Sequence, residues 1–305
     1  NAKMARNFVQ VIRSGVTGRK SLGSGPRNLV RNWLENQSDN QIFNGSIGND
    51  PSLRDVIKMV HPAPTSASRD ALYNYILGNK DQEKFAKLPQ LVKDFELFKA
   101  GLSLDIPKVS FEMLTALPLS DKDWKAIASN ASWTQTRMNL NTFARHNVFD
   151  SKEVTKLICE KLSNPEEVKR AKVFPYQLLA AFLNVDNTVP NSVKNALQDA
   201  MEIAVENVPV IDGQVYVFPD VSGSMKSPVT GARGSATTKV SCIDVAALVA
   251  ASFMRKNPNT VVMPFENKVV NISLNGRDSV MTNAKKLASI GGGGTNCSAP
   301  LRMLN

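Results

Sequence analysis

Asp220, Ser222 and Ser224 stand in the spacing D-x-S-x-S within "FPDVSGSMKS", directly behind the apolar run "VYVF". A carboxylate and two hydroxyls on alternate residues can turn three hard oxygens inward from one loop, and Gly223 leaves room for a tight backbone. Mg²⁺ takes oxygen ligands at octahedral geometry and keeps several waters, so it needs few protein groups. A second loop, "IGGGGTNCSAP", offers the hydroxyl of Thr295 after four glycines, and two loops at one sheet edge can meet on a single ion. The plainer alternative is that Asp220 and the serines cap a helix or close a turn. Asp244 and Glu266 are further acidic candidates, explained equally well as a solvated helix residue and a strand end.

The elements around these loops form an alternating pattern from about residue 209. "QVYVFPD", "TVVMPFEN" and "KVVNISL" read as strands, and "SCIDVAALVAASFMRKN" and "SVMTNAKKLASI" as helices. Such alternation is a doubly wound α/β layout, whose functional loops lie at the carboxyl ends of the strands. Before it, from about 28 to 208, the apolar period is helical. Val154, Leu157, Ile158 and Leu162 form one expected core stripe, and Val193, Leu197, Met201 and Ala204 another. "HPAP", "LPLSD", "SNPEE" and "NTVPNS" punctuate this region with proline and capping residues. Helices joined by short polar turns suggest stacked helical hairpins, with an irregular bundle as the alternative. "ENVPVIDGQ" marks the expected boundary, giving domains 1–208 and 209–305.

The chain has 305 residues and a formal net charge of +10, divided as +5 on each side of that boundary. This excess attracts polyanions, nucleic acid first and an anionic membrane surface second. The longest nearly apolar run, "VAALVAASFM", is about half of a bilayer-spanning helix, so no transmembrane segment is expected. The start lacks the features of a secretory signal. Both ends read as helices entered or left midway, as in a fragment. Cys159, Cys242 and Cys297 match no metal-ligand spacing and cannot all pair within the chain, which suits a reducing cytoplasm.

Residues 1 to 34 carry Lys3, Arg6, Arg13, Arg19, Lys20, Arg27 and Arg31 without one acid. Glycines and serines between them let the backbone approach a phosphate chain while the arginines pair with it. A solvated helix face followed by a flexible link is the alternative. Only Phe8 and Trp33 supply rings here, so backbone contact suits the segment better than a row of stacked bases. His61 closes the helix of "DVIKMVHPAP", as a cap or as a surface ligand. Arg145 and His146 sit among amide side chains in "MNLNTFARHNVF", able to bind bases and phosphates or to satisfy one another.

The paired metal-type loops resemble the metal-ion-dependent adhesion site of the von Willebrand factor A domain. There the two serines and the threonine hold the ion and the aspartate acts largely through water. The resemblance assigns those roles to Ser222, Ser224, Thr295 and Asp220; a further family aspartate on a later loop has no counterpart up to Asn305. With "GVTGRKSLGSGPRNLVRNWL", "DPSLRDVIKMVHP", "ALYNYILG" and "MNLNTFARHNVF" before these loops, the whole chain resembles the Ro autoantigen family, with its TROVE module of HEAT-like repeats. The fold it implies is multidomain: an all-α helical-repeat ring followed by an α/β von Willebrand factor A domain, incomplete at its C-terminal end. The resemblance further implies a noncatalytic, monomeric, cytoplasmic RNA-binding protein with a Mg²⁺ site. Such a protein holds single-stranded 3′ ends of misfolded or immature noncoding RNA in the ring and Y RNA outside. It works beside an exoribonuclease such as polynucleotide phosphorylase. His61 falls where the family places a histidine on the inner surface, whereas "NQIFNGSIGND" lacks the basic pair found there in some relatives. A Mg²⁺-dependent module for an acidic protein ligand and a metal-dependent hydrolase are the competing expectations. Against the hydrolase, one loop supplies no second metal, no evident base and no placed nucleophile.

Overall fold

A computed structural model describes residues 2–19, 21–48, 50–79, 81–231 and 238–305. These fall into two compact units, residues 1–123 and 124–305.

The first unit is wholly helical among its described residues. Helices Ala2–Arg13, Ser24–Glu35, Leu53–Val60, Ala67–Leu77 and Gln90–Lys99 are its longer members. Serines begin Leu53–Val60, Ala67–Leu77 and the short helix Asp39–Asn44: Ser52, Ser66 and Ser38 each accept a backbone N–H of the first turn, satisfying donors that have no partner inside the helix. Val9, Leu34, Ile42, Leu53, Val56 and Leu72 are fully buried between the helices. Phe43 packs edge-on against Tyr75 and Phe95, with ring centroids 6.0 and 5.6 Å away. The buried guanidinium of Arg69 is offset by Asp39 at 2.5 Å and by the Leu34 carbonyl at 3.1 Å. A charge taken from water is tolerated only with such partners.

The second unit joins the helices after Trp124 to the α/β segment. Strands β1 (Val215–Val217) and β2 (Thr260–Val262) pair in parallel, and helix Cys242–Lys256 makes the crossover between them. The register Val215↔Thr260 carries on unbroken to a bridge between Asp220 and Phe265. Formal strand ends early because Pro219, which has no N–H, interrupts the ladder. The bonds Phe265 N–H to Pro219 and Val221 N–H to Phe265 resume it, at 3.0 and 2.9 Å. "KVVNISL" does not form the expected strand: Val269 makes one isolated bridge back to Phe265, and the rest is irregular.

The expected boundary at 208/209 is a change of secondary structure without a gap in packing. Helix Pro175–Asn184 lies on Cys242–Lys256, and Asn191–Ala204 on Val280–Ala288. Glu202 accepts the Val280 N–H at 2.7 Å, completing the N-terminus of that helix from across the junction. Buried Asn257 holds the connecting segment through the Ile211 N–H and the Pro209 carbonyl, at 2.8 and 3.2 Å. Val193, Leu197, Met201 and Ala204 are buried as their spacing predicts. Of the earlier stripe, Ile158 and Leu162 are fully buried while Leu157 lies at the exposed edge.

Candidate functional site

The acidic loop emerges at the carboxyl end of β1, as its sequence predicts. Asp220 closes the extended ladder, and Ser222 begins the 3₁₀ turn Gly223–Lys226. Asp220 Oδ1 accepts the Ser222 N–H at 2.8 Å, and among the described residues no hydrogen bond is made to its second carboxylate oxygen. Ser222 is buried and Ser224 exposed, yet their hydroxyl oxygens stand 3.2 Å apart. Adjacent ligands of an octahedral Mg²⁺ at ~2.1 Å are separated by about 3 Å. The two hydroxyls hydrogen-bond to each other at 3.2 Å, and the same donor type and spacing are compatible with a hard cation. Among the described residues no three of His, Cys, Asp or Glu are grouped for a metal. An ion here would rest on hydroxyls and one carboxylate.

The glycine loop meets this turn directly. Gly223 N–H donates to the Gly293 carbonyl at 2.9 Å. Gly291 has φ +113°, and a Cβ on it would stand 2.1 Å from the Val221 carbonyl oxygen. Only glycine allows that approach. Glu266, at the end of the β2 ladder, accepts the Gly293 N–H at 2.9 Å. Its carboxylate thus fastens the loop, a role that the strand-end explanation of Glu266 did not contain. Thr295 is exposed two residues further on, and among the described residues no hydrogen bond joins it to Asp220, Ser222 or Ser224. Asp244 is half-buried and serves as a capping residue rather than a solvated helix face. It accepts the N–H and hydroxyl of Ser241 at 2.9 and 2.5 Å in a capping box.

The candidate nucleic-acid residues separate into exposed cations and structural ones. Arg13, Arg19 and Arg27 are exposed, and Lys20 lies outside the described residues. Arg31 is half-buried and donates twice to the Val60 carbonyl, at 3.1 and 2.8 Å. It thereby completes the end of helix Leu53–Val60. His61 follows in the left-handed conformation, φ 46°, with its ring exposed, so Arg31 positions the turn from which His61 projects.

Two cations absent from the sequence-derived set join His61. Arg54, Lys58 and His61 are all exposed and line a groove of about 460 Å³ with Asp70 and Asn74. The spacing of four and three residues, the helical neighbour rule, was the available signal. The opposite face of the same helix buries Leu53, Val56, Ile57 and Val60. Asp70, the acid facing the groove, is paired with Lys84 at 2.8 Å. Asp55, on the same helix, is engaged by Ser52 at 2.6 Å. That bond first, and the charges of Arg13 and Lys58 after it, hold the Asp55 carboxyl below its usual range.

In the second unit, His146 stacks on buried Trp124 at a centroid distance of 4.1 Å and an angle of 10°. Its ring is thereby committed to packing. Arg145 is exposed and donates to the Thr142 hydroxyl at 3.1 Å.

Two known domain families match the chain: the TROVE domain over residues 52–235 and the Ro60 vWA domain over residues 214–303. The fold is similar to the crystal structure of the Ro (RSR) protein of Deinococcus radiodurans, with a TM-score of 0.69 at 19% identity. That likeness covers 98% of this chain and 65% of the relative, so the chain spans about two thirds of the relative's length. The TROVE match alone takes in more than half of the residues, and with the overlapping vWA match it means that the chain belongs to the Ro autoantigen family.

Proposed function

We propose that the chain is a noncatalytic RNA-binding protein of the Ro type that holds single-stranded ends of noncoding RNA by their phosphates. The observation that carries this reading is the face Arg54, Lys58 and His61: two exposed cations on one helix and an exposed imidazole on the turn that ends it, beside a groove whose acid is already paired. Guanidinium, ammonium and imidazole in a row suit a phosphodiester chain read without regard to sequence. Exposed Arg13, Arg19 and Arg27 add positive charge to the same unit. The finer proposal is that misfolded or immature RNA enters by its 3′ end while Y RNA occupies another basic surface. The protein acts as a cytoplasmic monomer, beside an exoribonuclease such as polynucleotide phosphorylase. Among the described residues no helix is long and apolar enough to cross a membrane.

The test is crosslinking in cells followed by sequencing of the bound RNA, joined to binding measurements on duplexes with and without a 3′ overhang. Enrichment of noncoding RNA and tighter binding of overhangs are expected. Recovery of no RNA above background would sink the reading.

A second reading rests on the paired hydroxyls of Ser222 and Ser224. In it Asp220, Ser222, Ser224 and Thr295 hold Mg²⁺, which supplies a Lewis-acid position for a carboxylate of a protein partner. It predicts a partner lost on chelation and on Asp220→Ala, with RNA binding unaffected. Mg²⁺-dependent cleavage of RNA lost in Asp220→Ala would overturn the noncatalytic assignment.

A further inference from the structure

Helix Ala67–Leu77 ends at Gly78, and its C-terminal turn separates two hollows. One is the basic groove of Arg54, Lys58 and His61. The other is a pocket of about 360 Å³ whose apolar surface comes from Ala71, Leu88, Tyr75 and Phe85. Asn74 and Asn79 line both, so the two hollows share a wall of amides.

Their electrostatics differ. In the pocket Lys99 is paired with Glu96 at 3.1 Å, and Lys84 with Asp70 at 2.8 Å. Asp81 is taken up in capping the next helix through the Glu83 N–H at 3.0 Å. Such a site favours an uncharged group with an apolar face and polar edges, while the adjoining groove favours an anion. Phe85 is 46% exposed and offers a ring face or edge at the pocket wall. Asn79 gives one amide N–H to Asn74 Oδ1 at 2.9 Å. Exposed at the pocket, the same amide carries donor and acceptor groups of the kind that a nucleobase edge can meet.

We infer that this pocket receives one unstacked nucleobase of a single-stranded RNA whose neighbouring phosphates lie along Arg54, Lys58 and His61. The inference rests on the RNA reading and adds to it a base-binding element beside the phosphate track. A volume of about 360 Å³ admits a base with its ribose and lies at the lower end of small-ligand pockets. A free nucleotide shares this chemistry; the strand is favoured because the basic groove extends beyond what one phosphate needs.

The test uses the full chain and fluorescence anisotropy with labelled oligouridylate, oligoadenylate and an abasic ribose-phosphate strand of equal length. Wild type should bind the base-bearing strands at least about fivefold, and up to roughly 150-fold, more tightly than the abasic one, the effect of one stacked base. Phe85→Ala and Asn79→Ala should each remove most of that gap while leaving the salt dependence and the circular dichroism unchanged. Both residues are surface-exposed, so neither variant should unfold. Strands that bind with the same gap in wild type and both variants would overturn the pocket alone. Failure of every strand to bind wild type would overturn the RNA reading, and this inference with it. A mononucleotide competing as well as a strand would assign the pocket to free nucleotides and overturn the strand assignment.

Discussion

The phosphate reading of the Arg54 face can be tested through its salt dependence. The perturbation is the double variant Arg54→Gln, Lys58→Gln, which removes both charges and keeps much of the side-chain length. Both residues are exposed and neither takes part in a described ion pair, so stability should move by no more than ~0.5 kcal/mol. Each cation on a phosphate of a single strand contributes about 0.7 to the slope of log affinity against log salt. Two should therefore lower the slope by about 1.4. Between 50 and 200 mM salt, wild type should lose roughly sevenfold more affinity than the variant, since 1.4 in slope acts over a fourfold salt change. The assay is anisotropy of a labelled single-stranded RNA over that range, with Lys87→Gln, an exposed lysine outside the groove, as the control. Parallel salt plots for wild type and the double variant would refute the reasoning, because no counterions would then be released at these two residues.

Mg²⁺ should raise the melting temperature of wild type and leave Asp220→Ala and Ser222→Ala unmoved; an equal rise in all three would place the ion elsewhere. Gly291→Ala should separate the two metal-type loops by driving a methyl group into the Val221 carbonyl, read as loss of the Mg²⁺ response with most of the helical signal kept. His146→Ala should cost about 0.5–1.5 kcal/mol of stability through the lost stack on Trp124 and leave RNA affinity unchanged. A drop in affinity without a drop in melting temperature would return His146 to the binding surface. The Asp55 carboxyl is held below its unfolded value, so its contribution to stability is present above that value and is lost as pH falls through the folded one. Asp55→Asn should accordingly flatten the acid side of the stability curve, measured by thermal unfolding between neutral and strongly acidic pH.

The metal-type loop was legible because its signal is local. The position of D-x-S-x-S directly after an apolar run gives its place at the strand end, and the turn of Ser222 and Ser224 forms within one short stretch of backbone. Glu266 and Gly293, in contrast, are 27 residues apart, and their bond at 2.9 Å depends on how the end of β2 meets the glycine loop. The failed strand "KVVNISL" has the alternation and β-branched content of a strand. Strand formation needs a partner edge, however, and beyond Val269 no such pairing occurs among the described residues.

Local chemistry could say which residues are cations, and the period of the helices said which faces are buried. Three-dimensional packing decided which cations remain available. Arg31 lay in the same unopposed basic run as Arg27, yet its guanidinium is taken by the Val60 carbonyl, while Arg27 stays exposed. His146, in an amide-rich segment suited to RNA, found Trp124 as its partner. Asp70 would cancel the charge of the Arg54 groove if it did not already hold Lys84 across a turn. By itself, then, the sequence determined the family, the helical and α/β segments and the oxygen-rich loop, because each is written in neighbouring residues. Tertiary structure alone assigned the partners, since a hydrogen bond or ion pair depends on distance in space and a charge is open to a ligand only when no nearer group has claimed it.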